Sequence, residues 1–153
     1  MSDALLRLSY SPDDNYCGEV TVTVISGAFA GRSKAWFDRV SIKETFIVAL
    51  KSFPLSSTEP PTLEGGFWNK EELAKIDQCH LRITVVPYDL RKVPLVRVEL
   101  ATQVWKTADA DQQHTVTARF LTEYAALDRF ASDFELVLDG KSKEAILRGT
   151  TAD

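Results

Sequence analysis

The sequence predicts an α+β fold: one curved, mainly antiparallel sheet with two helices packed on one face. Most strand-like segments alternate apolar and polar residues, which favours an antiparallel sheet over a parallel one buried on both sides. Two stretches, 42–53 and 122–140, change to helical spacing and need an apolar surface to cover. The length, 153 residues with 44% hydrophobic and 26% charged, suits a single domain that buries roughly two thirds of its unfolded surface. The expectation is one domain over 1–153, with 1–4 and 150–153 frayed.

The elements follow in chain order. "LLRLSY" (5–10) reads as a short strand, and "SPDDN" (11–15) as a turn in which Asp and Asn bond back to the local backbone. "EVTVTVISG" (19–27) puts Val20, Val22 and Val24 on one side and Glu19, Thr21 and Thr23 on the other. "GRSKAWFD" (31–38) is the next strand, with Arg32, Lys34 and Trp36 sharing a side. Ser41 and Glu44 fit a capping box, and Ile42, Phe46, Ala49 and Phe53 fall at helical spacing before Pro54. The first helix is therefore expected over 42–53. "LSSTEPPT" (55–62) is a loop and a strand is expected near 63–69, followed by a charged run, 70–78, with room for one exposed helical turn.

"HLRITVVP" (80–87) points Leu81, Ile83 and Val85 inward and His80, Arg82 and Thr84 outward. "YDLRKVP" (88–94) is a hairpin connection. "LVRVELATQVW" (95–105) turns Val96, Val98 and Leu100 in and Arg97 and Glu99 out. After the polar loop 106–113, "HTVTARFL" (114–121) turns Val116, Ala118 and Phe120 in and Thr115, Thr117 and Arg119 out. The second helix, 122–140, takes Thr122 as N-cap. Its apolar stripe is Tyr124, Leu127, Phe130, Ala131, Phe134, Val137 and Leu138, and Gly140 suits the left-handed C′ position. "KEAILRG" (143–149) is the last strand. The order is βββαββββαβ, with about six to eight strands in the sheet.

The formal net charge is −4 with both signs interspersed. That is not the basic footprint of a nucleic-acid binder, and it biases the surface slightly toward cationic partners. Cys17 and Cys79 are far apart and read as free structural thiols rather than a disulfide framework. "MSDALLRLSY" has no apolar core of a signal peptide, and no stretch reaches the roughly 20 apolar residues of a spanning helix. The expected location is cytoplasmic, with no membrane partner.

Candidate sites are few. In "LEGGFW" the glycines precede aromatics, whereas phosphate cradles place glycines at a helix start. Glycine inside a strand marks a bulge or a close backbone approach, so this pair reads as structural. Phe67 and Trp68 are then expected on opposite sides of the strand, with Trp68 pairing with Trp36 or Trp105 as an aromatic anchor. His80 and His114 are the only histidines and lack metal-ligand spacing, and Cys79 beside His80 in a strand points the other way. Asp13/Asp14, Glu71/Glu72 and Asp109/Asp111 are loop acids without a cleft to span. No catalytic, cofactor or metal residue is assigned. The polar sheet face has the threonines and long charged stems of a solvated surface. It is also the candidate partner surface, with Trp36, Trp68, Arg82, Arg97 and Arg119 as its contact residues.

The ordering of "AFAGRSKAWFD", a helix ending in "SFP", "LEGGFW", "HLRITVVPYDL…PLVRVELAT" and "VTARFLTEYAALDRFASDFELVL", over about 17–140, resembles small bacterial single-domain proteins grouped with the immunity proteins of polymorphic toxin systems, the WapI type. The resemblance implies a non-catalytic bacterial protein that binds and neutralises a partner toxin. It carries over no site residue. Two other readings stand beside it: a small-ligand-binding or enzymatic domain with a pocket between sheet and helices, and a homo-oligomer pairing through the sheet's polar face or an edge.

Overall fold

The computed structural model describes residues 2–89, 91 and 93–152. Eight strands form one sheet in the order β3-β2-β1-β8-β7-β6-β5-β4, and every pairing is antiparallel. They are β1 (Ser2–Pro12), β2 (Cys17–Ser26), β3 (Phe29–Asp38), β4 (Thr62–Trp68), β5 (Ile76–Tyr88), β6 (Val93–Ala101), β7 (Thr115–Leu121) and β8 (Ala145–Thr151). Helical chain follows β3 and β7, as the alternation and its changes of period predict, and a short 3-10 helix, Thr107–Gln112, stands within the expected polar loop after β6. The sheet does not close, so β3 and β4 are its edges. Residues 2–4 and 150–151, expected to fray, are instead paired: Ser2 lies opposite Thr151 and Asp3 opposite Thr150. Met1 and Asp153, at the ends of those segments, lie outside the described residues, as do Leu90 and Lys92 of the β5–β6 connection.

The sheet curls until β3 lies across its other half. Successive inward positions of β3 meet successive strands. A Cβ on Gly31 would collide with Val116 of β7, and Ser33 Oγ donates to the carbonyl of Ala101 in β6 at 2.6 Å. A Cβ on Gly65 of β4 would lie 2.6 Å from Phe37 Cζ and 2.9 Å from Ala35 Cβ. β3 therefore runs over the ends of β7 and β6 and the middle of β4 rather than beside any of them, the steep crossing that strongly twisted sheets adopt when they fold on themselves. Glycine at 31 and 65 is what lets the backbones approach.

The first helical segment is α1 (Arg39–Ile42), a π turn (Lys43–Ile47) and α2 (Val48–Leu50), run together. It starts three residues before the expected 42 and ends three before the expected 53. Asp38 is the cap: its carboxylate accepts from the amides of Val40 (2.9 Å) and Ser41 (3.2 Å). Ser41 is inside the helix, where its carbonyl accepts from Thr45 Oγ1, so the Ser41–Glu44 capping box does not form. Ile42, Phe46, Ile47 and Leu50 are buried, while Phe53 is 79% exposed and meets Tyr124 edge to face at 4.8 Å.

The helix α3 (Tyr124–Leu138) buries Leu127, Phe130, Ala131, Phe134, Val137 and Leu138, with Tyr124 partly buried, which is the predicted stripe. Each of the large apolar side chains contributes ~1.5–3 kcal/mol on burial, so docking, more than propensity, holds the helix. Thr122 does not cap it. The N-cap is Glu123, and the Thr122 hydroxyl donates to the Arg148 carbonyl of β8 at 2.8 Å. Gly140 has the expected left-handed φ of 74°, with Lys141 N donating to the Leu136 carbonyl. The inward residues of the strands and the apolar residues of both helical segments form one core, in which Phe46 meets Phe134 at 6.4 Å. Among the described residues no helix is long and apolar enough to cross a membrane.

Candidate functional site: an aromatic cleft at the end of β4 and β5

The Gly65-Gly66 pair opens the site. Gly65 pairs with Leu81 and Gly66 with Cys79, so His80 is the extra residue of a bulge. A Cβ on Gly66 would overlap the Gln78 carbonyl, which fixes glycine there. The structural reading of this pair is thus the one the backbone requires. The bulge overturns one expectation: His80 does not point outward but is 3% exposed, beside the inward Leu81. Burial pushes the His80 pKa below its ordinary value, because the charged imidazolium loses its hydration.

A second irregularity lies between Phe67 and Trp68. The two rings, expected on opposite sides of β4, both line one cleft of about 1080 Å³. Its other walls include Asn69, Asp77, Gln78, Val104, Trp105 and Lys106. Phe67 is half-buried at its floor, edge-on to His80 at 4.7 Å and tilted against Trp105 at 5.1 Å. Trp105 is 77% exposed and Trp68 39%.

The loop that carries Trp105 is tied to β5 at Val104 by the Gln78 side chain. Gln78 Nε2 donates to the Val104 carbonyl at 3.1 Å, and Gln78 Oε1 accepts from the Val104 amide at 3.0 Å. The same Oε1 is 2.5 Å from His80 Nε2, so that nitrogen is the donor and the neutral imidazole is the Nε2–H tautomer. On the opposite wall, Asn69 Oδ1 accepts from the amides of Glu71 and Glu72, closing the 69–75 turn in place of the expected helical turn. The cleft therefore offers two indole faces bordered by amides, by Lys70 and Lys106, and by the Glu71 and Asp77 carboxylates.

The residues expected to form the partner surface separate into two groups. Arg82, Arg97 and Arg119 share the outer side of neighbouring strands: Arg82 is opposite Glu99, and Arg97 is opposite Arg119. Two of them are engaged. Arg82 Nε donates to Glu64 at 2.8 Å and its Nη1 to Glu99 at 3.4 Å, while Arg97 Nη2 reaches Glu99 at 3.0 Å. The bond that Arg82 donates to Glu64 is the main reason its pKa is raised. Trp68 is in the cleft. Trp36 is not among the cleft's walls; it lies on the outer side of β3, 53% exposed, with its indole N–H donating to Asp13 at 2.5 Å.

Of the loop acids, Asp14 serves the backbone, accepting from the amides of Tyr16 and Cys17. Cys17 and Cys79 are both free, and burial raises the Cys79 pKa. Among the described residues no His, Cys, Asp and Glu side chains group to hold a metal. Gln78 escaped sequence reasoning because a lone strand glutamine has no signature. The double glycine, by contrast, was a usable signal that the alternation shifts at His80. No family model matches the chain, and neither a curated protein nor a solved structure matches it.

Proposed function

We propose that this chain is a non-catalytic protein-binding module whose anchor is the Trp68–Trp105 cleft. The observation that carries this reading is the pair of exposed indoles that line one cleft, with Trp105 set against the half-buried Phe67. Tryptophan offers a large, rigid contact area that loses little conformational freedom on binding, and such residues dominate interface energetics. In this reading both helical segments cover the same apolar side of the sheet, which the shared core supports, and the outer side is left for solvent or partners.

The resemblance to WapI-type immunity proteins makes the partner a toxin and the host bacterial, with binding in the cytoplasm. The test is co-expression of the tagged chain with the toxin encoded beside it. Rescue and co-purification by the wild type, lost in Trp105→Ala, are the expected results, with a loss of about 2 kcal/mol for a central tryptophan. A toxin retained equally by wild type and Trp105→Ala would remove the cleft from the reading.

A small-ligand site between sheet and helices has the packing against it: Phe46, Leu127, Phe130 and Phe134 are each at most 1% exposed there. If a small molecule binds this chain, the aromatic cleft is the better place for it, since about 1080 Å³ is ample for a ligand.

A further inference from the structure

We infer that the free edge of β3 accepts an extended segment of a protein partner, one that alternates acidic residues with small, hydroxyl-bearing ones. The inference deepens the protein-binding reading and rests on it.

The two edges of the sheet differ. β4 follows Pro60 and Pro61 and carries two register irregularities, devices that blunt an edge against further pairing. β3 has neither: it pairs with β2 through ten unbroken positions, from Cys17–Asp38 to Ser26–Phe29. The direction of its free groups follows from the hairpin. In a two-residue hairpin the closing pair, here Ser26 and Phe29, exchanges hydrogen bonds, so odd-numbered residues of β3 bond to β2. The Arg39 amide donating to the Tyr16 carbonyl at 2.9 Å continues that parity. The N–H and C=O groups of Arg32, Lys34 and Trp36 therefore point away from β2, along an edge that no described residue pairs with.

A pocket lies at one end of that edge. β3 crosses β6 and β7 at Ala101 and Val116, and those strand ends, with Thr102 and His114 beside them, form its floor. The space between 30–32 and that floor is about 300 Å³, bordered by Thr102, His114 and Thr115. A strand that continues the ladder at Arg32, Lys34 and Trp36 has one end over this pocket and turns the side chains there onto the floor. The volume and the polar floor suit Ser or Thr rather than large apolar residues. The outward side chains of the added strand lie beside Arg32 and Lys34. Lys34 has only Glu19, at 3.5 Å, as a partner, and Arg32 has no ion pair among the described residues. Carboxylates on the added strand match them, since opposite charges across a strand pair stabilise it. A second copy of this chain fits less well: antiparallel pairing of β3 with itself sets Arg32 and Lys34 against the same cations.

The experiment uses the whole chain and two synthetic peptides, one alternating threonine with glutamate and the other threonine with lysine. Binding is followed by titration, and hydrogen exchange is read at the amides of Arg32, Lys34 and Trp36. The glutamate peptide is expected to slow exchange at these three amides and to bind roughly twofold to thirtyfold tighter than the lysine peptide. In the doubly reversed Arg32→Glu, Lys34→Glu chain that preference inverts. These side chains are exposed and the substitutions leave the core untouched, so folding is checked simply by an unchanged melting transition. No protection by either peptide, equal binding of both, or doubling of mass with protection of the same amides without peptide would each overturn strand addition. A toxin that binds the doubly reversed chain as it binds the wild type, yet loses Trp105→Ala, overturns it too, and leaves the cleft reading standing.

Discussion

The side-chain amide of Gln78 grips the backbone of Val104 at both ends, donating to its carbonyl at 3.1 Å and accepting from its amide at 3.0 Å. One glutamine thereby does for the Trp105 loop what a strand partner does for a strand. It links a buried histidine on the inside to an exposed tryptophan on the outside.

Replacing Gln78 by leucine strands three groups: the Val104 amide, its carbonyl and His80 Nε2. The expected cost is about 1–3 kcal/mol, because part-buried polar groups lose their partners without compensation. Urea unfolding gives the loss, and the Val104 amide is expected to exchange as fast as an unstructured loop. If Val104 stays protected in Gln78→Leu, the glutamine does not hold the loop.

Asp38 and Ser41 give opposite expectations at the first helix. Asp38→Ala removes the carboxylate that accepts from Val40 and Ser41, and is expected to lower stability by about 1 kcal/mol. Ser41→Ala leaves the cap intact and is expected to change stability by no more than about 0.5 kcal/mol. Thermal melts of the two variants side by side separate the observed cap from the capping box that the sequence suggests.

These helix ends show what was legible and why. Alternation and apolar periodicity are repeated over many residues, so the strands, their succession along the chain and the α3 stripe could be read directly, whereas the order of the strands in the sheet has no such local pattern. Caps depend on one hydrogen bond each. Ser41 with Glu44 and Thr122 carry the right chemistry, but Asp38 reaches the helix first, and Thr122 is drawn instead to the Arg148 carbonyl. The same holds at the candidate site. Trp68 and Trp105 could be named as aromatic anchors, yet their convergence needs the second irregularity of β4 and the long-range grip of Gln78 on Val104, neither of which has a local pattern.

Gly66→Ala tests the bulge. An added Cβ overlaps the Gln78 carbonyl, which belongs to backbone and cannot swing aside. The expected destabilisation is about 1–3 kcal/mol, with displacement of Gln78 and weaker shielding of Trp105. By contrast, Gly140 has open space around it, so Gly140→Ala meets only the strain of its positive φ and is expected to cost about 1 kcal/mol. Equal losses in chemical denaturation for the two variants would mean that Gly66 is needed only for its backbone freedom.

His80 sets the pH dependence. Its folded pKa lies below the ordinary 6.5 because burial disfavours the imidazolium. As pH falls past about 6.5, the unfolded chain takes up the proton before the folded one does. The unfolded state then binds more protons, so stability is full above that value and declines as pH falls through the folded pKa, where the slope levels off. Protonation leaves the Nε2–H bond to Gln78 in place, so the loss comes from burying the charge rather than from breaking that contact. Stability curves for the wild type and His80→Gln, measured from pH 7.5 down to about 5, should therefore converge as the wild type loses its advantage. Parallel curves across that range would show that His80 is not the group responsible.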